Sequence, residues 1–221
     1  MINSARRDAD DLMREIREKV SDPPPIEFHT STGFPFDEVI AGLVKEFSAD
    51  MIVMGSKGAT GLQRVLLGSN AVAVINNSTV PVVVIPEKAA FLPLKRIVYA
   101  TDMDNYREEA KTIAMFASLF DADLNLLHVL PDDSAREVDT GAIVDELMGL
   151  TNYKRISFEV LRSDDIAEAV DTFVTRTGAD MLAMFTHHLD FYEKLFGRSV
   201  TRRLAFHTRV PLLTFNKTTL E

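Results

Sequence analysis

Apolar residues along the chain fall into two alternating rhythms. Short runs rich in apolar and β-branched residues, at residues 51–54, 80–85, 95–101, 124–130, 155–161, 181–185 and 211–215, predict strands, the one at 181–185 fully apolar, and 26–30 reads as one more. Between them apolar side chains recur three and four positions apart, as Ala110, Ile113, Ala114 and Ala117 do within 107–120. The same rhythm predicts helices over 4–20, 36–47, 71–77, 135–150, 164–177 and 190–207. Ser163 or Asp164 caps the helix over 164–177 and Gly178 ends it. Strands apolar on both faces and separated by helices imply an α/β fold with a parallel sheet covered on each side and wound right-handed.

The pattern repeats. A shift of 130 residues lays Ala49-Asp50-Met51 on Ala179-Asp180-Met181, Met54 on Met184, Ser69 on Ser199 and Val80-Pro81 on Val210-Pro211 without a gap. Upstream the same shift lays Ile26 on Ile156, Phe28 on Phe158, Glu38 on Glu168 and Val44 on Val174. One offset held through loops as well as elements marks a tandem duplication. It divides the chain into a first copy at 1–87 and a second at 94–216, with 87–93 as the linker. Residues 94–130 of the second copy, two strands and a helix, have no counterpart in the first. We expect a truncated tandem ahead of two alternatives, strands donated by another chain and a repacked half-domain. The last strands, 80–85 and 211–215, are expected to pair across the two copies.

Composition narrows the function. The chain has 221 residues, 46% of them hydrophobic and 26% charged, with no Cys, which leaves out disulfides and thiol chemistry and fits a cytoplasmic location. A net charge of −9 repels nucleic acid and anionic membrane. The longest apolar run, 80–85 with Pro81 inside it, is too short to span a bilayer. No Ser/His/Asp triad and no Gly-Lys-Ser/Thr phosphate loop is visible, so catalysis has no engine in the sequence, although a weak ATPase stays as an alternative.

The most informative stretch is Met54-Gly-Ser-Lys-Gly-Ala-Thr-Gly-Leu-Gln-Arg-Val-Leu-Leu-Gly-Ser-Asn70, directly after a buried strand. Gly55 and Gly58 allow a turn at the carboxyl end of that strand and a close backbone approach to a ligand. Gly68 and Ser69 open the next helix, where backbone amides and the helix dipole favour an anion such as phosphate. The same residues serve equally well as a plain turn with Ser69 as helix cap. Lys57 and Arg64 read as surface residues.

The spacing Gly55-x2-Gly58-x9-Gly68-Ser69, with Ala-Asp before the strand and Val80-Pro-Val-Val-Val-Ile-Pro86 after the helix, resembles the universal stress proteins, some of which carry two copies in one chain. The resemblance covers nearly the whole sequence. It implies two adenine-nucleotide-hydrolase-like, Rossmann-like repeats with parallel sheets of strand order 3-2-1-4-5, the first repeat lacking its first two strands. It also implies ATP binding, with Mg2+ accompanying the nucleotide, no established catalysis, and pairing through the last strand. The implied partners are adenine nucleotide, a second copy in a homodimer and unidentified proteins of a stress response. By the same resemblance the phosphates and ribose fall to Met54, Gly55, Gly58, Gly68, Ser69 and Asn70. Asp102, ending the strand Tyr99-Ala-Thr-Asp102, falls on the adenine side of the second repeat, near Val129.

The two copies depart from the pattern in complementary ways. The 130-residue shift turns Gly55 into Phe185, Gly58 into His188 and Gly68 into Arg198, keeping Ser69 as Ser199. Side chains there fill space that backbone and phosphates would share, so the second copy is expected not to bind ATP in the family manner. The first copy keeps the glycines and lacks the adenine side, so its affinity is expected to be impaired. An alternative is a dimerisation scaffold that binds no nucleotide. His187-His188 is too isolated to be read as a metal site, Arg198 with Lys194, Arg202 and Arg203 reads as a helix face, and His128 reads as a satisfied strand residue. Asp102 and Asp104 lie close together but are too few for a cation cage, and Asp132-Asp133 reads as solvated loop and helix cap.

Overall fold

A computed structural model describes residues 2–56, 68–87, 89–90, 92–186 and 210–216. In chain order these form α1 (Ile2–Lys19), α2 (Phe36–Phe47), β1 (Ile52–Gly55), α3 (Ser69–Asn77) and β2 (Val82–Ile85) in the first repeat. The second holds β3 (Arg96–Ala100), α4 (Tyr106–Ser118), β4 (Asp123–Leu130), α5 (Thr140–Thr151), β5 (Ile156–Arg162), α6 (Ile166–Thr177), β6 (Met181–Phe185) and β7 (Leu212–Phe215). The helix expected over 190–207 lies outside the described residues.

The strands of the described residues join one sheet in the order β1-β2-β7-β6-β3-β4-β5. Within the second repeat this is the expected 3-2-1-4-5 order with every pairing parallel. The two repeats share a single sheet rather than forming two. β2 runs antiparallel to β7, with Val82 opposite Thr214 and Val84 opposite Leu212, so the last strands of the two copies meet within one chain. The Thr214 hydroxyl adds a bond to the Val82 carbonyl across that seam.

Side chains alternate along each strand, so the sheet feeds two separate apolar layers. Val82, Val84, Val98, Ala100, Leu182 and Met184 pack with Val74 and Ile75 of α3 and Val170 and Phe173 of α6. Ile97, Tyr99, Ala183, Phe185 and Leu213 pack with Ala110, Ile113 and Ala114 of α4 and Leu147 of α5. Burial on both faces explains the consecutive apolar runs.

The first repeat departs from expectation at 26–30, which forms no strand. The matching strand β5 is held solely by β4, along seven register pairs from Leu124–Ile156 to Leu130–Arg162. Among the described residues of the first repeat no strand corresponds to β4, so an extended segment at 26–30 has no ladder to join. The same absence leaves α2 with no buried residue.

Two helix starts also differ from expectation. α6 is capped by Asp165, whose carboxylate accepts from the Glu168 amide, because the Ser163 hydroxyl is occupied in a local turn with the Asp165 backbone. α5 starts at Thr140 and is capped by Asp139, which accepts from the Ala142 amide, so Asp132 and Asp133 are exposed loop residues and cap nothing. Gly178 ends α6 as expected, in the left-handed region at φ 60°.

Candidate functional site

Ligands of open α/β sheets sit beyond the carboxyl ends of the strands, and each repeat has such an end. In the first, β1 runs out at Gly55 into Ser56, whose amide donates to the Ile85 carbonyl at 2.9 Å. The Ser56 carbonyl in turn accepts from the Gly68 amide at 2.7 Å, closing the neck of the loop that contains Gly58. Gly58, Lys57 and Arg64 lie outside the described residues. Gly68 is the N-cap of α3, with extended backbone and no side-chain hydrogen bond capping the helix. The first-turn amides of α3, from Ser69 and Asn70 onward, therefore open beside Gly55 with no intrahelical acceptor. Met54 is half-buried on β1, and Gly55, Ser69 and Asn70 are exposed. Thus Met54, Gly55, Gly68, Ser69 and Asn70 gather at one mouth.

Asp102 is elsewhere. β1 and β3 are separated by β2, β7 and β6, about 19 Å at the usual strand spacing. The antiparallel seam between β2 and β7 also points the carboxyl ends of the two repeats in opposite directions. Asp102 and the glycine neck cannot touch one ligand.

Around Asp102 the second repeat builds a polar floor. Thr101, only 2% exposed, accepts the Met103 amide on its hydroxyl and the His128 ring on its carbonyl. Burial holds the His128 pKa below its ordinary value, so the ring is neutral at pH 7 and carries its proton on Nδ1, which donates to Thr101. Its Nε2 is buried with no partner among the described residues. His128 is thus half satisfied, less than the sequence suggested. The Asp102 carboxylate accepts from the Asp104 amide at 2.9 Å, and Met103 between them takes φ 73°. Thr186, after β6, is buried and donates to the Phe215 carbonyl.

Phe185 occupies the place of Gly55. Its ring stacks on Phe215 at 5.0 Å between centroids and meets Tyr99 edge-on at 6.1 Å. His187, His188, Arg198 and Ser199 lie outside the described residues. Sequence reasoning missed Glu109, which is 2% exposed and takes a hydrogen bond from the equally buried Tyr99 hydroxyl. The available signal was its place beside Ala110 on the apolar stripe of α4. Among the described residues no group of three or more His, Cys, Asp and Glu is arranged to hold a metal ion, and no helix is long and apolar enough to cross a membrane.

A single doubly wound sheet built by two repeats of one chain, with a glycine neck at a helix start, defines the class as a tandem Rossmann-like α/β protein. A profile described as the universal stress protein family matches residues 3–86 and 93–216, and the chain belongs to that family. It is 35% identical over 82 residues to Universal stress protein MJ0531 of Methanocaldococcus jannaschii, covering 36% of this chain and 47% of that protein. It is 31% identical over 87 residues to Universal stress protein MJ0577 of the same organism, covering 39% and 53%. Each match spans about half the length of the curated relative. Over 97% of this chain and 78% of the other, the fold matches the crystal structure of a universal stress protein from Archaeoglobus fulgidus, with a TM-score of 0.68 at 17% identity.

Proposed function

We propose that this chain is a cytoplasmic adenine-nucleotide-binding and scaffolding protein of stress physiology, divided into domains at 1–87 and 94–216, in which the first repeat alone receives the nucleotide. The observation that carries this reading is the closed neck at Ser56 and Gly68. It sets the uncapped first turn of α3 beside Gly55, where a side chain would obstruct an approaching phosphate. Gly55, Gly58, Gly68, Ser69 and Asn70 hold the phosphates and Met54 lines the approach, with Mg2+ entering only as the nucleotide's counterion.

The second repeat supports the other half of the reading. At the corresponding place Phe185 fills the approach and joins the aromatic core. Asp102 and the buried threonines remain there without the glycines that would carry phosphate. In the first repeat the adenine side lacks a strand equivalent to β3 among the described residues, so affinity is weak.

The test is a thermal-shift series with ATP, ADP and AMP on the parent and on Gly68→Arg. Stabilisation of the parent that rises with concentration and vanishes in the variant supports the site. An equal shift in both would overturn it, and phosphate release abolished by one acid or base substitution would point to hydrolysis instead.

A further inference from the structure

The second repeat buries an acid beside a charged loop. Glu109, in the first turn of α4, is 2% exposed and accepts a hydrogen bond from the Tyr99 hydroxyl of β3. The Thr101 hydroxyl donates to that of Tyr99 and accepts the Met103 amide at 3.0 Å, so a row of hydrogen bonds runs from Glu109 to the backbone of the loop at 101–105. A second bond shapes the same loop, from the Asp104 amide to the Asp102 carboxylate at 2.9 Å. Met103 between them takes φ 73°, a conformation that favours glycine. At the far end of the loop the Asn105 side chain makes no capping bond to α4.

Among the described residues the charges acting on Glu109 are both carboxylates, Asp102 and Asp104. The other ionisable groups packed around it are engaged elsewhere. His128 of β4 is neutral and turned to the Thr101 carbonyl, Glu146 of α5 takes the Tyr106 hydroxyl and the Arg107 guanidinium, and Glu108 pairs with Lys111 on the outside of α4. β6 contributes Phe185, an aromatic ring edge-on to Tyr99. Burial raises the Glu109 carboxyl to about 7, against the Tyr99 bond and with Asp102 and Asp104 adding to the rise. A buried group thus gains its charge near neutral pH, in reach of two others of the same sign.

We propose that Glu109 and the loop at 101–105 form a proton-controlled switch, in which the Asp102–Asp104 turn is closed while Glu109 is protonated and opens when Glu109 ionises. The repulsion is relieved at the surface, because Asp104 is exposed and Asp102 half-buried whereas Tyr99 and Glu109 are locked in the core. A charge on Glu109 also draws the Tyr99 proton closer, which makes the Tyr99 oxygen a better acceptor for Thr101 and tightens the hold of Thr101 on Met103. Met103 is therefore the hinge. The Asp102 carboxylate turns to solvent and releases the Asp104 amide. The switch lies wholly in the second repeat and does not depend on the nucleotide reading.

The test is amide NMR on the full isotope-labelled chain, without nucleotide, between about pH 5.5 and 8. The expected result is an Asp104 amide that shifts with a midpoint of about 7, shared with the Glu109 side-chain carboxyl carbon. Its hydrogen exchange, corrected for base catalysis, quickens at least about tenfold across the transition, while Met103 exchange changes less than about twofold. Glu109→Gln removes both responses and holds Asp104 in the closed turn at every pH. Should that variant fail to fold, the parent still decides, through the shared midpoint of carboxyl and amide. An Asp104 amide unmoved in that range, a midpoint different from that of Glu109, or a titration retained in Glu109→Gln overturns the inference. So does loss of protection at Met103 and Asp104 together, because a fold that is only less stable releases both.

Discussion

The Tyr99 hydroxyl donates a hydrogen bond to the Glu109 carboxylate inside the core of the second repeat, tying β3 to α4 where both side chains are almost wholly buried. Burial pushes the Glu109 carboxyl up to about 7, and the nearby Asp102 and Asp104 carboxylates push the same way against the Tyr99 bond. Burial likewise raises the Tyr99 hydroxyl well above its ordinary value, with Glu109 adding to the effect, so it stays protonated. Between the ordinary carboxyl value of 4.5 and about 7 the folded chain keeps a proton that the unfolded chain has released. Stability therefore falls as pH rises through that window, by on the order of 3 kcal/mol. Urea unfolding at a series of pH values should show this decline, and Glu109→Gln should flatten it. An unchanged slope in the variant would rule Glu109 out as its source.

Asp180 and Asp50 make a second test. Asp180 holds two amides at the start of β3, so Asp180→Ala leaves both without that acceptor and should cost about 1–3 kcal/mol. Asp50, its counterpart under the 130-residue shift, is exposed, and Asp50→Ala should stay within about 0.5 kcal/mol of the parent. Equal costs in denaturant unfolding would contradict the difference between the two aspartates.

Phe185 supplies a third. Its ring is 5% exposed between Tyr99 and Phe215, so Phe185→Ala should destabilise by about 3–5 kcal/mol through lost burial and a cavity. A change below about 1 kcal/mol would mean that the aromatic cluster is not part of the core. Where the first repeat has the exposed Gly55, the second places a ring in the core.

Much of this was legible in the sequence because it is written in local periodicity. The offset that aligns Ala49-Asp50-Met51 with Ala179-Asp180-Met181 reappears as identical ladder bonds in β1 and β6. Residues 26–30 failed because a strand needs a neighbour, and a segment's own apolar pattern cannot reveal whether one exists. Asp165 displaced Ser163 as the α6 cap because a hydroxyl two residues earlier found its own backbone bond, a competition invisible to spacing alone. Glu109 escaped notice because a single acid on an apolar stripe reads as surface until the hydroxyl of Tyr99 is seen to meet it.

The division of labour between the repeats is tested most directly by calorimetric titration of ATP into the parent, Gly68→Arg and Asp102→Ala. Gly68 takes φ −64° and ψ 154°, which any residue adopts, so the arginine leaves the backbone intact. The account predicts one weak site per chain, lost in Gly68→Arg and unchanged in Asp102→Ala. Two sites per chain, or one site lost with Asp102 and kept without Gly68, would contradict it.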